Sequence, residues 1–66
     1  MLTTREGAVL ELLAHGCSYG EIALRLGISV HTVTTHIKNC YRKLEVHCAA
    51  AAVRRALELR LLALEQ

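Results

Sequence analysis

Apolar residues recur along this chain at helical spacing, in blocks separated by glycines or short polar breaks. In the first block Val9, Leu10, Leu12 and Leu13 lie in pairs three or four apart, the pattern of an amphipathic helix. Thr3-Thr4-Arg5-Glu6 precedes them, so a hydroxyl and a carboxylate three positions apart can satisfy early backbone N–H groups reciprocally. Gly16 follows where a left-handed residue would close the helix, which predicts a first helix over residues 4–15.

Ser18-Tyr19-Gly20-Glu21 repeats the opening signature, with Ile22, Ala23 and Leu26 on one side and Gly27 just beyond. The second helix therefore has two to three turns. Ile28 is expected as a buried plug and Ser29 as the cap of the next helix, a connection of the length of a helix-turn-helix corner. In a third helix, over about residues 30–44, Val33, Ile37, Cys40 and Leu44 fall within a narrow arc and form its core stripe. His31, Thr35, Lys38 and Arg42 face the other way, with Thr34 at the margin.

A fourth helix, over about residues 48–64, carries two apolar stripes. Ala49, Ala52, Ala56, Leu59 and Ala63 form one, small enough for close approach within the domain. Val53, Leu57, Leu61 and Leu64 form the other, about 100 degrees round. With 66 residues there is no further core to bury this second stripe, so it is expected to pair with its copy in a homodimer. Each fully buried leucine or valine contributes about 1.5 to 3 kcal/mol. A face for another domain, or partial exposure, is the alternative.

Composition supports these elements. Proline is absent, the only aromatic residues are Tyr19 and Tyr41, and alanine, leucine, arginine and glutamate dominate, so the fold class is all-α in one domain spanning residues 1–66. The three cysteines are odd in number and lack Cys-x-x-Cys spacing, which points to reduced thiols in a cytoplasmic setting rather than disulfides or zinc. The longest apolar runs, such as residues 49–53 and 61–64, fall far short of the roughly 18 to 20 residues that span a bilayer. No membrane segment is expected.

Charge changes the picture more. The net charge is only +2, yet no acidic residue lies between Glu21 and Glu45, an interval that contains Arg25, Lys38, Arg42 and Lys43. The outward face of the third helix thus offers hydroxyl, amide, imidazole and cationic groups alone, which suits phosphates and base edges of double-stranded DNA. Thr34, Thr35 and Lys38 are assigned to the groove floor, where threonine methyls meet thymine methyls and lysine donates to guanine; His31 is a fourth candidate. Ser29, Thr32, His36, Asn39, Arg42 and Lys43 flank that floor and are assigned to the DNA backbone.

Other chemistries fit less well. His36 and Cys40 have ligand-like spacing, but Cys40 belongs to the core stripe and two ligands do not make a metal site. The sequence contains no aspartate to orient a histidine, and so small a chain has little room for a cleft, so catalysis is not expected. Neither a metal nor any other cofactor is called for.

At these residues the chain resembles the LuxR-type (GerE-like) helix-turn-helix family of bacterial transcription regulators. The matching segments are Leu2-Thr3-x-Arg5-Glu6-x-x-Val9-Leu10, Leu12-Leu13-Ala14-x-Gly16-x-Ser18, Glu21-Ile22-Ala23, Leu26-x-Ile28-Ser29, Thr32-Val33-x-x-His36-x-x-Asn39 and Lys43-Leu44-x-Val46. The resemblance implies a tetrahelical domain whose third helix enters the major groove and whose fourth pairs with a second protomer. It also implies base contacts at Thr34, Thr35 and Lys38, and phosphate contacts at Thr32, Asn39 and Lys43. Family members usually carry an upstream regulatory domain, and RNA polymerase is an implied partner. Four positions depart from the pattern. Thr34 stands where many members have lysine, Ala49 where a polar or basic residue is common, and Tyr19-Gly20 where Asn-Lys is frequent. Lower intrinsic affinity is therefore expected, compensated by dimerisation or an upstream domain.

Two rival readings share part of this pattern. A promoter-recognising segment like the last region of a sigma factor has the same helix-turn-helix, but does not call for a doubly apolar fourth helix. A helical protein-interaction module would use Val53, Leu57, Leu61 and Leu64 and no nucleic acid, leaving the acid-free interval unexplained.

Overall fold

The computed structural model describes residues 1–62 and contains four helices in that span: α1 (Thr4–Ala14), α2 (Tyr19–Leu26), α3 (Val30–Leu44) and α4 (Ala49–Glu58). The first three start where hydroxyl residues cap them. Thr3 Oγ1 accepts from Glu6 N–H at 3.1 Å while Glu6 Oε1 accepts from Thr3 N–H at 2.9 Å. Ser18 and Glu21 form the same reciprocal box at 3.1 and 2.7 Å, and Ser29 Oγ accepts from Thr32 N–H at 3.0 Å. The fourth helix begins at Cys48 with no side-chain cap.

All four helices close with the same backbone device. An N–H just past the end donates five residues back, from Cys17 to Leu12 O, Ile28 to Ala23 O, Val46 to Tyr41 O and Leu61 to Ala56 O, at 2.8 to 3.1 Å. This closure requires a left-handed residue, supplied by Gly16 and Gly27 in the first two helices and by Glu45 and Arg60 in the others. In each case the donating residue is apolar or a cysteine and turns back onto the domain.

Buried residues fall into two clusters that share α3. Val33 and Ile37 pack with Val9, Ile22 and Ala23, while Cys40 and Leu44 pack with Leu10, Ala52, Ala56 and Leu62. Tyr41 and Leu13 touch both clusters. One stripe of α3 therefore serves α1 and α2 at its beginning and α1 and α4 at its end. With that stripe turned inward, the remaining side of α3 is left to solvent.

The observed helices correct the expected ones mainly at α4. It ends at Glu58, not near residue 64, because Arg60 is left-handed (φ 59°) and the chain folds back. Leu59, expected in the core stripe, is 55% exposed, whereas Leu62 is buried. Leu61, expected on the outer stripe, packs partly buried against the core cluster, and so does Val53. Leu57 remains exposed; Leu64, Ala63 and the rest of residues 63–66 lie outside the described residues. Ile28 is half-buried against the second cluster rather than fully enclosed. Among the described residues no helix is long and apolar enough to cross a membrane.

Candidate nucleic-acid interface

Along the outward side of α3, His31, Thr35, Lys38 and Arg42 are exposed, and Thr34, Thr32, His36 and Asn39 are half-buried at its edges. These eight residues share one continuous helix and no carboxylate lies among them. Ser29 is exposed at the helix start, where its hydroxyl and that of Thr32 meet at 2.9 Å. Whichever of the two donates in that contact, the other keeps its hydrogen for an outside acceptor. Ser29 has also taken up the Thr32 N–H, which leaves the N–H groups of Val30 and His31 as the ones with no intrahelical acceptor. Together these form an anion-seeking end to α3.

Lys43 is placed differently from the other cations. Its Nζ lies 2.7 Å from Glu6 Oε1 and 3.3 Å from Met1 O, and its side chain is 29% exposed. It thereby ties α3 to the start of α1. Burial works to raise the Glu6 carboxyl pKa, but the Lys43 hydrogen bond and charge and the Thr3 N–H outweigh it and hold the value below the ordinary range. Glu6 thus has a second role beside capping, which its position in a capping box conceals from sequence reading.

Cys40 is fully buried and its thiol donates to Glu6 O at 3.6 Å. Burial first, and the nearby Glu6 charge second, push its pKa up to about 11, so it is a packed thiol and no thiolate ligand. No cluster of metal-ligating side chains occurs among the described residues.

Beyond the end of α3 the left-handed turn at Glu45 brings Val46 and His47 beside Lys38, Tyr41 and Arg42, forming a shallow groove at the end of the cationic face that Glu45 itself also lines. His47 was not among the expected contacts. It lies outside the helical periodicity that selected the others, and only the geometry of the turn reveals it. Arg55 donates from Nη1 to Leu44 O at 3.2 Å and so caps the end of α3 from α4. On α4, Val53 and Leu57 join Leu13, Ala14 and Ala50 around a second shallow groove, largely apolar.

Comparison with known proteins bears on this arrangement. The family model for bacterial regulatory proteins, luxR family, matches residues 1–56. The chain belongs to this family. Helix-turn-helix domains of the luxR family bind DNA and are not catalysts. The chain is 46% identical over 61 residues to the transcriptional activator protein CarR of Pectobacterium carotovorum subsp. carotovorum, covering 92% of this chain and 25% of that protein. It is 51% identical over 51 residues to a nitrate/nitrite response regulator protein homolog of Haemophilus influenzae, covering 77% of this chain and 24% of that protein. The chain thus spans about a quarter of the length of these curated relatives. Among solved structures, the transcription factor GerE superposes with a TM-score of 0.92 at 38% identity, over 97% of this chain and 96% of that one. The four-helix, all-α architecture is therefore that of a luxR-family DNA-binding domain.

Proposed function

We propose that this domain is a sequence-specific regulator that lays α3 in the major groove of double-stranded DNA and works as a homodimer. The observation that carries the reading is the outward side of α3: cationic, hydroxylic and free of carboxylates from its capped start to Arg42. An α-helix fits the major groove, and side chains in its first half reach base edges while its flanks meet phosphates. Thr34, Thr35, Lys38 and His31 then face bases. Ser29, Thr32, His36, Asn39 and Arg42 face the backbone, joined by Lys43 with whatever hydrogen-bonding capacity its pairing with Glu6 leaves.

Pairing of two copies is supported by the apolar groove at Val53 and Leu57, which is shorter than the expected stripe because α4 ends at Glu58 and Leu61 packs on the core. The greater length of the relatives supports a further domain in a longer protein; a regulatory domain upstream and RNA polymerase as a partner are part of the same proposal.

A salt titration of the chain on labelled duplex DNA tests the central statement. About three to five phosphate contacts per protomer predict a steep fall of affinity with salt, with a slope near −0.9 per phosphate neutralised. Lys38→Ala is expected to weaken specific binding by about 1 to 3 kcal/mol and relax choice at one base pair, while Arg42→Ala weakens all sequences alike. No binding to any duplex at low ionic strength overturns the reading. Sedimentation equilibrium tests the dimer: Leu57→Asp should shift it to monomer.

A further inference from the structure

Of the four cations in the acid-free interval, one is engaged inside the protein. Among the described residues Arg25, Lys38 and Arg42 form no ion pair, whereas Lys43 Nζ lies 2.7 Å from Glu6 Oε1. The carboxylate is the fixed member of this pair. Glu6 is 4% exposed, its Oε1 also accepts from the Thr3 N–H, and its main-chain oxygen accepts from the Cys40 thiol. With its carboxyl held below the ordinary range, it is charged at neutral pH. If Lys43 left for a phosphate, it would strand that charge in a buried place, a far larger cost than an exposed ion pair returns.

Lys43 has three N–H donors and uses two, on Glu6 Oε1 and Met1 O. The third is free for an oxygen at the edge of α3, beside Asn39 one turn earlier. What it offers there is a hydrogen bond without net charge. The carboxylate stands 2.7 Å behind it, well inside the about 8 to 10 Å over which salt screens charges, so at a phosphate the two largely cancel.

On the reading that α3 enters the major groove, we propose that Glu6 limits the affinity of the domain for DNA by keeping the charge of Lys43 cancelled while DNA is bound. Glu6 is then a positioning residue with two effects: it fixes α1 against α3, and it withholds one contact that would release a counterion. The four cations of the interval act on DNA as three.

The test measures binding of the full chain to a labelled random-sequence duplex over a range of salt. Glu6→Gln keeps an oxygen for the Thr3 N–H and releases the Lys43 charge. The salt slope should steepen by about 0.9; with equal affinities on extrapolation to 1 M, the variant then binds about eightfold more tightly than the parent at 0.1 M. Glu11 is an exposed carboxylate of α1 with no cation partner among the described residues. Glu11→Gln makes the same change in net charge and should shift the slope much less. Lys43→Met added to Glu6→Gln should take the extra slope of about 0.9 away again. Circular dichroism follows the fold of each variant. The double variant, in which neither charge is buried alone, is judged directly against the parent if the single one unfolds.

A Glu6→Gln chain that binds more weakly at every salt concentration, with the slope of the parent, has lost only structure and overturns the proposal. Equal steepening by Glu11→Gln assigns the effect to net charge and overturns it too. A double variant whose slope falls about 0.9 short of the parent shows that Lys43 neutralises a phosphate in the parent, with the same consequence. Failure of the parent to bind any duplex at low salt removes the groove reading itself, and this proposal with it.

Discussion

α3 and α4 have much in common: each starts from an extended residue, buries one stripe, and stops at a left-handed residue that is not glycine, Glu45 or Arg60. Their outcomes differ. The stripe of α3 is made of large residues shared between both core clusters, and its helix ends where the stripe ends, at Leu44. The inward stripe of α4 is alanine, Ala52 and Ala56, and its helix stops although the following Leu59, Arg60, Leu61 and Leu62 are all good helix formers. Burial decides this end. Turning back at Arg60 buries Leu62 and half-buries Leu61, and a fully buried leucine contributes about 1.5 to 3 kcal/mol against about 1 to 2 for one left-handed residue. Local propensity loses to the position of the core.

The contrast predicts very different costs for similar truncations. Ile37, 2% exposed at the junction of α1, α2 and α3, should lose about 2 to 5 kcal/mol when changed to alanine. A domain of this size is expected to hold only about 3 to 10 kcal/mol in total, so Ile37→Ala should bring it close to unfolding at room temperature. Val53→Ala, half-buried on α4, should cost about 1 kcal/mol. Urea denaturation of the two variants measures both. Equal losses would mean that α4 carries more of the core than its alanine stripe indicates.

A second difference is electrostatic. α3 is tied to α1 by Lys43 and Glu6, whereas the ion pair of α4, Arg55 with Glu58 at 3.8 Å, lies within one helix and is largely exposed. Glu6→Gln should cost about 1 to 3 kcal/mol at neutral pH, less than a fully enclosed pair because Lys43 is partly hydrated. Its pH dependence has a definite sign. The folded carboxyl titrates below its ordinary 4.5, so the unfolded chain binds the proton more readily. The stabilisation is complete above about pH 4.5 and is lost as pH falls through the lower folded value. Glu21, held down by the Ser18 N–H, acts in the same direction. Melting temperatures between pH 7 and pH 3 should fall less steeply in Glu6→Gln than in the parent; an unchanged slope would remove Glu6 from the acid response.

How much of this was legible in the sequence follows from the range of the forces involved. Caps at Thr3, Ser18 and Ser29 are bonds across three residues, so they could be read directly, as could the stripe Val33, Ile37, Cys40 and Leu44. Glycine marks the ends of α1 and α2 because its lack of a side chain is what permits them. The ends at Glu45 and Arg60 carry no such mark, and the latter depends on where Leu62 meets Leu10 and Ala56, a contact set by tertiary packing. The exposed side of the candidate site, His31, Thr35, Lys38 and Arg42, was visible as periodicity. The pairing of Lys43 with Glu6, 37 residues away, and the approach of His47 to the groove were not, because neither is local in sequence.

The smallest effects should come from the two left-handed residues themselves. Glycine at either position removes a strain of about 1 to 2 kcal/mol but restores up to about 1 kcal/mol of freedom to the unfolded chain, so each change alone yields a few tenths to 1 kcal/mol. Charge then separates them. Glu45 places a carboxylate at the negative end of α3, so Glu45→Gly also removes an unfavourable dipole interaction. Arg60 places a cation at the negative end of α4, and Arg60→Gly forfeits a favourable one. Glu45→Gly should therefore stabilise by about 1 kcal/mol and Arg60→Gly by less, with no change in the slope of urea unfolding. If Arg60→Gly gives the larger gain, the two helix ends are not governed by the same balance of backbone strain and terminal charge, and the early stop of α4 needs a cause other than the burial of Leu61 and Leu62.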